Sequence, residues 1–139
     1  MTPFGGQGAE DPPARKILLV DDDELILEIG FASLHLVGGL DVLTTTSGSE
    51  ALEVARAAHP DAILLDVMMP GLDGPGTLAQ LKDDPATARI PVVFLTAKAR
   101  RSDQRQWVGL DVAGVLTKPF DPMLLATQVA SLLGWPARA

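Results

Sequence analysis

Three kinds of side chain in this 139-residue chain could act together on one anion. Asp21, Asp22 and Asp23 stand in a row after the apolar run KILLV (16–20), and Asp66 follows the apolar run AILL (62–65). Thr96 ends the run PVVFLT (91–96), and Lys118 follows the run GVLT (114–117). Carboxylates gathered on one rim repel unless a cation joins them. Hard oxygen donors, with no Cys or His nearby in the sequence, favour Mg2+ (or Mn2+) over zinc. A hydroxyl from Thr96 and a mobile ammonium from Lys118 would complete a cradle for a tetrahedral anion around one carboxylate. The residues alone therefore point to phosphoryl chemistry on Asp66.

These groups meet only if the runs are neighbouring strands of the same sense. With LDVLTT (40–45) the runs begin at residues 16, 40, 62, 91 and 114. Each interval has room for a strand, a helix of about three turns and two short loops. Three of the runs lack polar alternation, so both of their faces need cover, as in a parallel sheet under helices. Ligands of such sheets bind beyond the carboxyl ends of the strands, where the polar residues named above fall. The predicted fold is α/β, a single doubly wound (βα)5 domain with a five-stranded parallel sheet.

Helix starts support that reading. Ser47–Gly48–Ser49–Glu50 forms a capping box for a helix to about Ala58. Gly74–Pro75 opens a helix that Asp84–Pro85 closes, and Ser102 and Asp103 suit the entry to a helix carrying Trp107. Asp121–Pro122 reads as an N-cap followed by proline at the first helical position. From Glu24 to about Val37, the residues Leu25, Ile29, Ala32 and Leu36 form an apolar stripe at helical spacing, with Gly38–Gly39 as its stop.

Composition narrows the function. Hydrophobic residues make up 47% of the chain, enough for a packed core and too many for a disordered one. No apolar run approaches the ~18 residues of a membrane span, and the first residues lack the features of a secretion signal. Zero cysteines exclude disulfides, thiolate metal sites and a thiol nucleophile, and fit a reducing cytoplasm. A net charge of −7 sets the surface against nucleic-acid backbones. Residues 1–14 read as a flexible leader rich in Gly and Pro, 15–133 as the domain, and 134–139 as a short tail.

ILLVDDDE (17–24), DAILLDVMMPGLDG (61–74), PVVFLTAKA (91–99) and GVLTKPF (114–120) together resemble the receiver domain of two-component response regulators. The likeness spans the domain, and four motifs in order make it specific. It implies the strand order 2-1-3-4-5 of the flavodoxin-like folds. It implies Asp66 as the phosphoacceptor, Asp22 as a direct Mg2+ ligand, Asp21 as a helper through water or a second contact, and the backbone carbonyl of Met68 as a further ligand. Lys118 would bridge an acid and a phosphoryl oxygen, Thr96 would hydrogen-bond the phosphoryl group, and Pro119 would be cis. Pro70, Gly71, Asp73 and Gly74 would shape the turn after the phosphoacceptor strand. The implied donor is a sensor histidine kinase or a histidine phosphotransfer protein. Output would pass by protein contact or onward relay, because no output domain follows in this sequence. Such a domain is not an enzyme in the usual sense, although it catalyses its own phosphorylation and slow dephosphorylation. One departure stands out: the position three residues before the lysine, often Tyr or Phe in the family, is Val115.

Plainer roles suit other residues. Asp23 and Glu24 are helix-start charges favoured by the macrodipole. TTTSGS (44–49) superficially resembles a flavin phosphate loop, but it follows the second strand and reads as a helix cap. An FMN module is one rival class, which flavin absorbance would reveal, and a phosphorylation-independent docking module that keeps the acid pocket is a second, which phosphotransfer assays would expose. His35 and His59 read as helix-terminal, without a metal-spaced partner. Arg100, Arg101 and Arg105 form a solvated basic patch beside Trp107.

Overall fold

Apolar side chains on both sides of a central strand need cover on both faces, and the helices between the strands provide it. The computed structural model describes residues 14–97 and 109–136. The strands are β1 (Lys16–Val20), β2 (Asp41–Thr45), β3 (Ala62–Asp66), β4 (Val92–Thr96) and β5 (Gly114–Thr117). All neighbours are parallel, in the order β2-β1-β3-β4-β5. The described helices are α1 (Glu24–Ala32), which runs into a π-helical turn at Ser33–Val37, α2 (Gly48–Ala58), α3 (Gly74–Asp83) and α4 (Leu125–Leu133). The expected helix with Ser102, Asp103 and Trp107, and the basic residues Arg100, Arg101 and Arg105, lie outside the described residues. So does the leader, apart from Ala14.

Alternation along the strands sorts the apolar residues into two cores. Leu18, Val20, Ile63, Leu65 and Phe94 pack with Leu52 and Ala55 of α2 and Leu78 and Leu81 of α3. Ile17, Leu19, Leu64, Val93 and Leu95 pack with Leu27 of α1, Leu34 of the π-helical turn, and Leu125 and Val129 of α4. Every residue of β3 and β4 is buried, whereas the edge strands β2 and β5 are partly exposed. Fully apolar runs thus mark the central strands, as parallel packing requires.

Most helix boundaries follow their caps. Ser47 Oγ accepts the Glu50 N–H at 3.1 Å, and Glu50 Oε1 accepts the Thr46 N–H at 3.2 Å. Asp73 caps α3 by accepting the Gly76 N–H at 2.8 Å, and Asp23 caps α1 through the Leu25 N–H at 2.9 Å. His59 closes α2 in the left-handed region at φ 48°.

Two expectations fail. The stripe Leu25, Ile29, Ala32 and Leu36 faces outward, with Leu25 61% and Leu36 76% exposed. The buried positions are Leu27, Gly30, Ser33 and Leu34. Gly30 belongs on the inner face because a Cβ there would lie 2.6 Å from Leu19 Cδ2. The last helix begins at Leu125 rather than after Asp121. Asp121 instead builds a turn ahead of it, its carboxylate accepting the Met123 N–H at 2.8 Å and its carbonyl the Leu124 N–H at 2.9 Å.

Candidate functional site

Parallel register brings the expected residues to one rim. Asp21 directly follows β1, and its N–H continues the ladder to the Thr45 carbonyl at 3.2 Å. Asp66 is the last residue of β3, paired in register with Leu95, and Thr96 ends β4 opposite Thr117. Lys118 comes next, its N–H donating to the Thr96 carbonyl at 2.7 Å. The Lys118–Pro119 peptide is cis, as the resemblance implied.

The Lys118 ammonium lies 2.7 Å from Asp21 Oδ2 and 3.3 Å from Asp66 Oδ1. The nearer contact is an ion pair without a well-aligned hydrogen bond. Asp21 Oδ1 also accepts the Asp23 N–H at 2.9 Å, and Asp66 Oδ1 accepts the Met68 N–H at 3.3 Å. Asp21, Asp66 and Thr96 are buried, while Asp22 and Met68 are exposed. Oxygens of Asp21, Asp22 and Asp66 all lie within 4.8 Å of one another. One ammonium cannot neutralise three carboxylates, so the rim keeps net negative charge. Its all-oxygen donors, two of them on buried residues, fit a small hard divalent cation.

The electrostatics of the buried acids agree. Burial, then the neighbouring Asp21 carboxylate, pushes the pKa of Asp66 up to about 6 against the pull of Lys118. Burial alone would lower the pKa of Lys118. Its contacts with Asp21 and Asp66 outweigh that and hold it above the ordinary lysine value.

The turn after β3 supports Asp66 from behind. The Gly74 N–H donates to the Val67 carbonyl at 2.9 Å, and a Cβ at Gly74 would fall 2.7 Å from Val67 Cα and 2.8 Å from the Asp66 carbonyl oxygen. Gly71 takes φ 73° in the same turn. Val115, at the position often aromatic in the resembled family, is half-buried beside Phe94 and packs on the first core. The contact sequence reading missed is that of Ser33. It sits in the π-helical turn, 3% exposed, and its Oγ donates to the Pro122 carbonyl just beyond Lys118. A serine inside an apolar helix was the available signal. A cavity of about 470 Å³ lies away from this rim, between Val37, Leu40, Ala130 and Trp135. Volume therefore does not mark the chemistry.

Known proteins resemble this chain in sequence and fold. Residues 17–130 match the response regulator receiver domain family. The response regulator PleD of Caulobacter vibrioides is 44% identical over 117 residues, which are 84% of this chain and 26% of that protein. The alkaline phosphatase synthesis transcriptional regulatory protein PhoP of Bacillus subtilis is 38% identical, with 86% of this chain and 48% of the relative covered. The chain thus spans about a quarter to a half of the length of these relatives. Among solved structures, a response regulator from Chloroflexus aurantiacus superposes with a TM-score of 0.80 at 31% identity, covering 88% of this chain and 99% of that one. The receiver domain of a sensor histidine kinase from Pseudomonas aeruginosa, with a magnesium ion coordinated in its active site cleft, gives 0.77 at 28% identity, covering 88% and 99%. The strand order, the acidic rim and these likenesses agree: the chain belongs to the response regulator receiver domain family.

Proposed function

We propose that this receiver domain is a Mg2+-dependent phosphoacceptor switch in which Asp66 takes a phosphoryl group from a phosphohistidine. The donor is a sensor histidine kinase or a histidine phosphotransfer protein. The observation that carries the reading is one ammonium shared by two buried carboxylates, at 2.7 and 3.3 Å, with a third acid beside them. Asp21, Asp22, Asp66 and the Met68 carbonyl would hold Mg2+, which supplies positive charge against the phosphoryl oxygens when bound.

The chain's own groups do the rest. An ionised Asp66 oxygen attacks phosphorus in line, the P–N bond breaks, and its electron pair returns to the histidine nitrogen. Lys118 turns to one phosphoryl oxygen, and the Thr96 hydroxyl donates to another. Water later attacks the same phosphorus and releases phosphate, restoring the carboxylate. The switch works only through the difference in what the phosphoryl group touches in two conformers. Signal then leaves through protein contact or onward relay.

Acetyl phosphate with Mg2+ should add one phosphoryl group to the wild type, seen by intact mass, and hydroxylamine should remove it. Asp66→Asn should gain none. Equal labelling of that variant would overturn the assignment.

A further inference from the structure

We propose that Ser33 is a positioning residue that aims Lys118 into the acidic rim, an inference that rests on the phosphoacceptor reading of that rim. Ser33 lies on the inner face of the π-helical turn after α1, and the Gly38 N–H reaches back to its carbonyl at 3.1 Å. Ser33 falls three residues after Gly30 and Leu34 seven after Leu27, so the buried face of α1 continues into this turn. A hydroxyl buried there costs stability unless it finds a partner, and a helical serine commonly bonds within its own helix. Ser33 instead donates to the Pro122 carbonyl, 89 residues along the chain.

Pro122 closes the short loop that leaves β5 through Lys118. At the near end, the Lys118 N–H is held by the Thr96 carbonyl at 2.7 Å. At the far end, the Pro122 carbonyl is held by Ser33. Between them Phe120 packs against the second core, and Asp121 caps the turn that follows. The lysine side chain is long and flexible, so its ammonium reaches both Asp21 and Asp66 only while this loop stays in place. Removing the far anchor lets the loop drift, and small misplacements of a charge-stabilising group slow group transfer.

The full chain tests this with acetyl phosphate and Mg2+. Ser33→Ala should slow phosphoryl uptake about fivefold, a modest loss of transition-state stabilisation, without moving the midpoint of a Mg2+ thermal-shift titration. Ser33→Thr, which keeps a hydroxyl, should recover most of the rate. In a Lys118→Ala background, Ser33→Ala should cost nothing further, because the group it aims is gone. If Ser33→Ala folds poorly, Ser33→Cys fills the same space with a weak donor and should show the same loss.

A readout independent of phosphoryl transfer separates this inference from the reading it rests on. The two ε-methylene protons of Lys118 should have distinct NMR shifts in the wild type and merge in Ser33→Ala. A wild type that takes no phosphoryl group sinks the phosphoacceptor reading, while the lysine signals still decide the role of Ser33. Unchanged rate and unchanged lysine signals in a folded Ser33→Ala would overturn the proposal. So would an equal loss of rate with and without Lys118.

Discussion

Lys118 divides one positive charge between two buried acids, and this leaves Asp66 short of compensation. Its pKa, raised from the ordinary 3.8 to about 6, makes the folded chain bind a proton more tightly than the unfolded chain. This contribution is therefore fully present below pH 3.8 and is lost as pH rises through about 6, at a cost of at most about 3 kcal/mol. Without metal, the wild type should lose more thermal stability between about pH 5 and pH 7.5 than Asp66→Asn does. Mg2+ should recover that stability at the higher pH and do little at the lower. Calorimetry at the two pH values checks this, and equal pH slopes for both proteins would contradict it. Asp21, Asp66, Thr96 and Lys118 were legible in the sequence because each adjoins the end of an apolar run, and parallel strands bring such ends together. Ser33 was not, because its partner lies 89 residues away and the apolar pattern of its helix also fits a stripe that turns it outward.

At the scale of elements, α1 shows where pattern reading runs out. The segment ELILEIGFASLHLV offers apolar residues all round, so two stripes fit equally well. The stripe that wins includes Gly30 and Ser33, which carry no hydrophobic signal, because Leu19 fills the space over Gly30 and the Pro122 carbonyl accepts the Ser33 hydroxyl. The turn into α3 is tighter still. Gly74→Ala would press a methyl against the backbone of Asp66 and Val67. The expected loss is about 2 kcal/mol, with slower phosphoryl uptake as the end of β3 shifts. Denaturant unfolding and acetyl phosphate labelling of this variant test both effects. If Thr96 moves toward a phosphoryl group, the small side chain of Val115 in β5 should demand little repacking there. Beryllofluoride, a phosphoryl mimic, should shift amide signals strongly in 67–76 and 97–108 and weakly at 115–117. Largest shifts around Val115 would refute this expectation.

The whole molecule is one sheet between two cores, and its main signal was written in the runs that form β1, β3 and β4. The edge strands also read as apolar runs, with polar residues admitted where they are partly exposed. A cation that binds only the folded rim stabilises the entire fold by mass action. Millimolar Mg2+ should therefore raise the wild-type melting temperature, and Asp22→Ala should abolish the rise. Equal melting points with and without Mg2+ in the wild type would count against the site. At the opposite ends of the strands, the Arg15 guanidinium lies 4.8 Å from the centre of the Trp135 ring. Arg15 immediately precedes β1, so the two ends of the described fold leave side by side, about a strand's length (~17 Å) from the acids. Their adjacency permits circular permutation: a short linker could join these ends while the chain is opened at the exposed Pro85–Ala86 turn. It also means that cargo joined at Ala14 or at Pro136 would hang from a single side, clear of the acidic rim.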